Sequence, residues 1–233
     1  MTEDREDAAV VVVFPVLRRP HRVRPLVESL EAATPEPHRT VFVATAGDDA
    51  MIEEIKLVSA DWPIELEVLA PNRIGDYARK INHVLDITVE PFLFTGADDL
   101  DFHPGWIPAG LRHFDDPKIG VVGTQDLAPT TRARAGTHAT HFFVRRRYAV
   151  DFGTIDARGK IFHDGYPHEY VDDELVETAK FRGAWSFAAD SVVEHLHPSW
   201  GKAPSDPLYR AQSARMNSGR RVFARRRRLW TSR

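Results

Sequence analysis

Residues Val10 to Val16 read VVVVFPV, and this run constrains the fold more than any other segment. A strand with one wet face would alternate polar and apolar residues, so an unbroken apolar run implies burial on both faces, as in a parallel sheet covered by helices. The following segments fit that reading. His21 to Ala33 places Val23, Leu26, Val27 and Leu30 at helical spacing, and Thr40 to Thr45 is a second strand closed by the turn signal Gly47-Asp48-Asp49. Met51 to Ser59 is helical, Ile64 to Leu69 is a third strand, and Gly75 to Leu85 is a helix with Tyr77, Ile81, Val84 and Leu85 on one flank. Pro91 to Thr95 is a fourth strand, Gly105 to Phe114 a helix and Ile119 to Val122 a further strand. Such alternation predicts an α/β fold with a doubly wound, mostly parallel twisted sheet, whose ligands bind beyond the carboxyl ends of the strands.

The second half is less regular. Thr137 to Val144 reads as a strand, Tyr148 to Gly153 as a short turn, and Arg158 to Tyr170 as a loop rich in Gly, His and Tyr. Val171 to Arg182 is helical, Trp185 to His195 extended, and Ser205 to Arg228 a C-terminal helix. No linker marks a boundary, so residues 1–204 are expected to form a single domain and 205–233 a basic helix or tail. The chain has no cysteine, so any metal must be held by carboxylates, histidines or phosphate, and a reducing, cytoplasmic setting is expected. Ala8 to Leu17 is too short to span a bilayer and is preceded by acids, which fits neither a signal peptide nor a membrane helix. The acidic start MTEDRED contrasts with Arg220, Arg221 and Arg225 to Arg228. That end either meets phosphates, an anionic membrane surface or an acidic partner, or is a solvated helix face.

Four clusters carry chemistry. Phe92-Leu93-Phe94 runs straight into Ala97-Asp98-Asp99-Leu100-Asp101. Carboxylates so crowded at a strand end repel one another unless a cation or hydrogen-bond donors compensate, and hard oxygen ligands suit Mg²⁺ or Mn²⁺. A solvated turn capping the next helix is the alternative. Asp172 and Asp173 precede a helix, where either could cap it or act as a general base. His195 and His197 share one face of an extended segment and could complete a carboxylate metal site. Asn72-Arg73, Gly75, Arg79, Lys80 and Asn82 could hold a diphosphate at a helix start, although a solvated face explains Arg79 and Lys80 as well.

In this order the pieces resemble the inverting glycosyltransferases of family 2, which have the GT-A fold. Val12 to Pro20 with Leu26 to Leu30 resembles that family's first strand and helix, and Gly75 to Asn82 its segment near the nucleotide diphosphate. Phe94 to Trp106 resembles the DxD region, the spacing of Asp172, Leu175 and Gly183 that of the acceptor-side base, and Ser191 to His197 the late strand ending in a metal-associated histidine. The resemblance implies a nucleotide-diphosphate sugar as donor, a hydroxyl acceptor on a glycan, lipid, protein or nucleic acid, and a Mn²⁺ or Mg²⁺ cofactor. It implies Asp99 and His195 as metal ligands, with Asp101 and His197 as further candidates, and Asp172, with its neighbour Asp173, as the base. Pro15, Gly75, Arg79, Asn82 and Asp98 would line the donor site.

This sequence departs from the family at three places. Ala97 replaces the first acid of the triplet, for which Asp101 could substitute, Thr45-Ala46 replaces the acidic pair that reads the base, for which Asp48 or Asp49 could substitute, and Thr178 stands where the family has an arginine after the base-bearing acid. A sugar-phosphate nucleotidyltransferase of similar fold is the first alternative, but the loop Arg18-Arg19-Pro20-His21-Arg22 lacks the glycines that grip a triphosphate. A non-catalytic nucleic-acid-binding protein is the second, and only the arginine-rich end supports it.

Overall fold

The computed structural model describes residues 9–231 except Arg73, with only the backbone described at 212–214. The acidic residues 1–7 and Arg73 of the expected diphosphate-facing segment therefore lie outside the described residues.

The first half follows the predicted alternation: β1 (Val10–Pro15), α1 (Val23–Ala33), β2 (His38–Thr45), α2 (Asp49–Val58), β3 (Ile64–Leu69), α3 (Asp76–Ile87) and β4 (Phe92–Thr95). Then come β5 (Leu100–Phe102), α4 (Trp106–Leu111), β6 (Val121–Gln125), α5 (Thr131–Arg134), β7 (Phe142–Arg145) and α6 (Arg146–Asp151). The chain ends with α7 (Val171–Phe181), β8 (Trp185–His195), α8 (Pro207–Arg210) and α9 (Gln212–Arg226). Three differences from the sequence reading stand out. Tyr148 to Gly153 is largely helix (α6), Leu100 to Phe102 is a strand, and the C-terminal helix breaks at Ala211.

Among the described residues one sheet runs in the order β3-β2-β1-β4-β7-β6-β8-β5. The β1 pairings with β2 and β4, like that of β2 with β3, are parallel, whereas β7 lies antiparallel between β4 and β6. The valine run behaves as its composition requires. Val10, Val12 and Phe14 pack into one core with Leu26 and Leu30 of α1 and Met51 and Ile55 of α2. Val11 and Val13 enter a second core on the other face, with Ala78, Ile81 and Val84 of α3 and Leu175 and Val176 of α7. Both faces are thus dry. Among the described residues no helix is long and apolar enough to cross a membrane.

Strand order reverses at β1, since β2 lies on one side and β4 on the other. A crevice opens at such a switch point beyond the carboxyl ends of the two strands. Strand β8 supplies the other wall. Its first part runs parallel to β6, and after a register shift opposite Thr124/Gln125 its last residues pair antiparallel with β5.

Candidate active site

The crevice is a cleft of about 570 Å³. Pro15, Val16, Leu17 and Arg19 after β1, with Ala97, Asp98 and Asp99 after β4, form its floor. Asp172 and Asp173 at the start of α7, and His195 and His197 at the end of β8, stand on its walls. Two local pairings make this meeting possible: Leu100 lies opposite His195 in the β5–β8 ladder, and Leu196 N–H donates to the Asp99 carbonyl at 2.8 Å.

Asp98 and Asp99 are buried side by side, and their environments separate them. Burial and then the charge of Asp99 push the Asp98 carboxyl up to about 6, against the pull of Arg19, whose Nη1 donates to Asp98 Oδ1 at 2.8 Å. Asp99 moves the other way. Burial would raise it, but the charge and hydrogen bond of His195, helped by Tyr209, hold it well below the carboxylate range. His195 Nε2 lies 3.3 Å from Asp99 Oδ2, and that pairing outweighs burial to raise the imidazole. The neighbouring His141 gives its Nδ1–H to Thr95 O at 3.0 Å, and burial with the charge of His195 pushes it down to about 3.

A divalent cation is implied by the resemblance, and the donor set suits one. A buried anionic carboxylate and a half-buried imidazole converge, and the other ring nitrogen of His195, Nδ1, is buried with no hydrogen-bond partner. Hard oxygen plus imidazole, completed by substrate phosphate, fits Mn²⁺ or Mg²⁺. The C-terminal segment closes over these residues. Tyr209 Oη donates to Asp99 Oδ2, the Arg19 guanidinium lies 4.3 Å from the Tyr209 ring, and Arg19 Nη2 donates to Asp206 Oδ1 at 3.1 Å.

The second acidic pair is also split by its surroundings. For Asp172, burial pushes the carboxyl up, but His138, whose Nε2 is 3.4 Å from Oδ2, outweighs it and leaves Asp172 below the usual range. Asp173 is raised by burial and then by the charge of Asp172, and Arg132 donates to its Oδ1 at 2.8 Å. Such opposed environments separate base from bystander, and Asp172 is the stronger candidate for the ionised role. Neither caps α7. The cap position is Tyr170, held at φ 73°, a left-handed conformation that costs about 1–3 kcal/mol and recurs at functional sites. Between the two ends of the cleft the Tyr77 hydroxyl donates to Gly96 O at 3.2 Å, and burial, then Asp172, raises its pKa.

Several predicted site residues lie elsewhere. Asp101 faces α1, where Ser29 Oγ donates to it at 2.6 Å, because strand alternation in β5 turns it away from the cleft. It forms a separate group with His103 and Glu194. Asp48 accepts the Arg18 N–H and does not line the cleft. Arg79 folds back on the Ala70 carbonyl at 2.5 Å. Asn82 is buried under the Ile161–Phe162 backbone, giving its amide N–H to Phe162 O at 2.8 Å and accepting from both N–H groups. Gly75 is needed for close approach, since a Cβ there would meet Asp164 O at 2.0 Å. Gly75 and Asn82 therefore meet the loop at residues 161–164, and Gly75, Arg79 and Asn82 are not among the residues that line the cleft.

Lys80, read from sequence as a diphosphate contact or a residue of a solvated face, lines the cleft, is 1 % exposed, pairs with Asp76 at 2.8 Å and donates to Val16 O at 2.8 Å. The Asp76–Lys80 spacing of four, on a helix flank bearing Tyr77, Ile81 and Val84, was the available signal. Arg19, His138 and Tyr209, not singled out by sequence, offered none.

No family model and no curated protein matches the sequence. Solved structures do match by shape. A mannosyltransferase, PcManGT from Pyrobaculum calidifontis, solved with GDP-Man and Mn²⁺, is 12% identical with a TM-score of 0.62, covering 94% of this chain and 74% of that one. Glucosyl-3-phosphoglycerate synthase from Mycobacterium tuberculosis, solved with Mn²⁺, UDP and phosphoglyceric acid, is 14% identical with a TM-score of 0.61, covering 96% and 80%. TarS of S. aureus is 14% identical with a TM-score of 0.60; the match covers 79% of this chain but only 36% of TarS. Like these glycosyltransferases, the chain has the GT-A fold.

Proposed function

We propose that this chain is a metal-dependent inverting glycosyltransferase, moving a sugar from a nucleoside-diphosphate sugar to an acceptor hydroxyl. The observation that carries the reading is one cleft holding an Asp99–His195 pair at the ends of β4 and β8, and an ionised Asp172 on the α7 wall. The donors bound by similarly folded proteins, GDP-Man and UDP-Glc, support it.

Asp99 and His195 would hold the divalent ion, which supplies Lewis-acid neutralisation of the leaving diphosphate. Arg19, the cation nearest both acids, would hold phosphate oxygens once it leaves Asp98. Asp172 accepts the proton of the acceptor hydroxyl as that oxygen attacks the anomeric carbon. The bond to the diphosphate oxygen breaks on the opposite face, so the configuration inverts in a single displacement. His138 keeps Asp172 in the carboxylate form between turnovers.

Slow hydrolysis tests the stereochemistry without knowledge of the acceptor, because water can take the acceptor's place. With Mn²⁺ and a bound α-linked donor, proton NMR should record the β-anomer of the free sugar first. Initial release of the α-anomer would sink the inverting mechanism.

A further inference from the structure

The arginines of the C-terminal segment fall into two sets. One set faces inward. Arg226 is buried, with its Nε donating to Glu174 Oε2 at 2.6 Å and its Nη1 to Asp156 Oδ2 at 2.9 Å, and Arg215 pairs with Glu169. Gly219 and Arg226 are buried, and Val222 and Phe223 pack against the core at the same helical spacing, which fixes the inward face of α9. Arg220, Arg221, Arg225 and Arg227 are exposed, and among the described residues none of their side chains has a hydrogen bond or ion pair.

This row ends at an apolar patch. The C-terminal segment runs in step with α7, Arg226 meeting Glu174 and Trp230 Nε1 donating to Thr178 Oγ1 at 3.2 Å. One turn beyond Thr178 stands Phe181, 45% exposed. The adjoining Arg182 binds the Phe152, Gly153 and Thr154 carbonyls, bringing in Phe152 at 56% and Val150 at 50% exposure. The opposite ends of α7 and α9 carry Asp172 and Met216 into the cleft. The patch therefore lies at the far end of both helices and does not cover the cleft mouth.

Four unpaired guanidiniums on one helix face repel one another and attract dense negative charge. Apolar side chains grouped at one end, an aliphatic valine among them, do not form the interleaved stacking platform that single-stranded nucleic acid uses. They do match a surface that offers anionic headgroups and an acyl boundary together. We infer that this face docks on an anionic lipid bilayer, the arginines on headgroups and Phe152, Phe181 and Val150 at the acyl boundary. The inference does not depend on the transferase reading.

The test is co-sedimentation of the full chain with phosphatidylcholine vesicles, with and without phosphatidylglycerol, at low and high salt. Binding is expected only with phosphatidylglycerol and should weaken as salt rises. Replacing Arg220, Arg221, Arg225 and Arg227 by Ser should lower the partition coefficient by about five-fold per arginine. The variant should keep the wild-type melting temperature, because these side chains have no partners to lose. Phe152→Ser with Phe181→Ser should also weaken binding while leaving its salt dependence unchanged. Absence of binding to phosphatidylglycerol vesicles would overturn the inference, as would equal binding by the quadruple variant. Binding to a mixed-sequence oligonucleotide but not to vesicles, lost in the same variant, would replace it with a nucleic-acid contact.

Discussion

Asp172→Asn should lower kcat by about 10²–10⁴-fold, the usual range for loss of a positioned base, while leaving donor affinity nearly unchanged. The amide keeps the shape of the carboxylate but loses its charge and its capacity to take a proton. Asp172 lines the cleft on the α7 wall, away from the Asp98–Asp99 floor, so donor contacts are spared. Burial alone would raise Asp172, and the hydrogen bond and charge of His138 reverse that shift. Its basic form therefore persists below the ordinary carboxylate range, and kcat should fall only as pH drops through that lowered value. His138→Ala removes the largest opposition to burial and leaves only backbone hydrogen bonds against it, so the acid limb should move to higher pH. Steady-state kinetics across pH check both statements, and an Asp172→Asn variant with wild-type kcat would remove the residue from the chemistry.

Asp99→Ala should weaken Mn²⁺ binding by at least about 100-fold, since even outer-shell partners of metal ligands are worth 10–100-fold. A Mn²⁺ titration followed by electron paramagnetic resonance reads this directly. The same titration separates Asp99 from the segment that covers it. Tyr209 Oη donates to Asp99 Oδ2, so metal and hydroxyl compete for one oxygen. Tyr209→Phe deletes the competing bond and should tighten Mn²⁺ binding by about ten-fold, the worth of a hydrogen bond to a charged group. Asp101→Ala should leave the affinity unchanged, because that carboxylate faces Ser29.

The first four strands and three helices were legible because each is fixed by its own periodicity. The VVVVFPV run requires two dry faces, and Val10–Pro15 has them. Strand β5 was not legible: it is three residues long, and its ladder partner β8 lies about ninety positions along the chain. Without that strand, Asp101 could be offered as the substitute for the acid missing at Ala97. In a strand, alternate residues point apart. Asn82 looked like a phosphate contact by position and proved to be a buried clamp on the Phe162 backbone, a role that depends on a loop 80 residues away. The closing of the cleft by Arg19, Asp206 and Tyr209 was likewise hidden, because it joins residues 187 apart. What sequence could reach was the order of the acidic clusters, and β1, β4, α7 and β8 carry Pro15, Asp98, Asp99, Asp172, Asp173, His195 and His197 to one cleft.

A thermal-unfolding screen of nucleoside diphosphates and their sugars, each with and without Mn²⁺, asks whether the cleft binds a nucleoside diphosphate through a divalent ion. A ligand at 100 times its Kd stabilises the native state by about 2.7 kcal/mol, enough to raise Tm by several degrees. Such a rise is expected for at least one nucleotide, in the presence of Mn²⁺ only. A folded protein whose Tm responds to no nucleotide with Mn²⁺ present, or responds equally without it, would rule out metal-dependent nucleotide binding in this cleft.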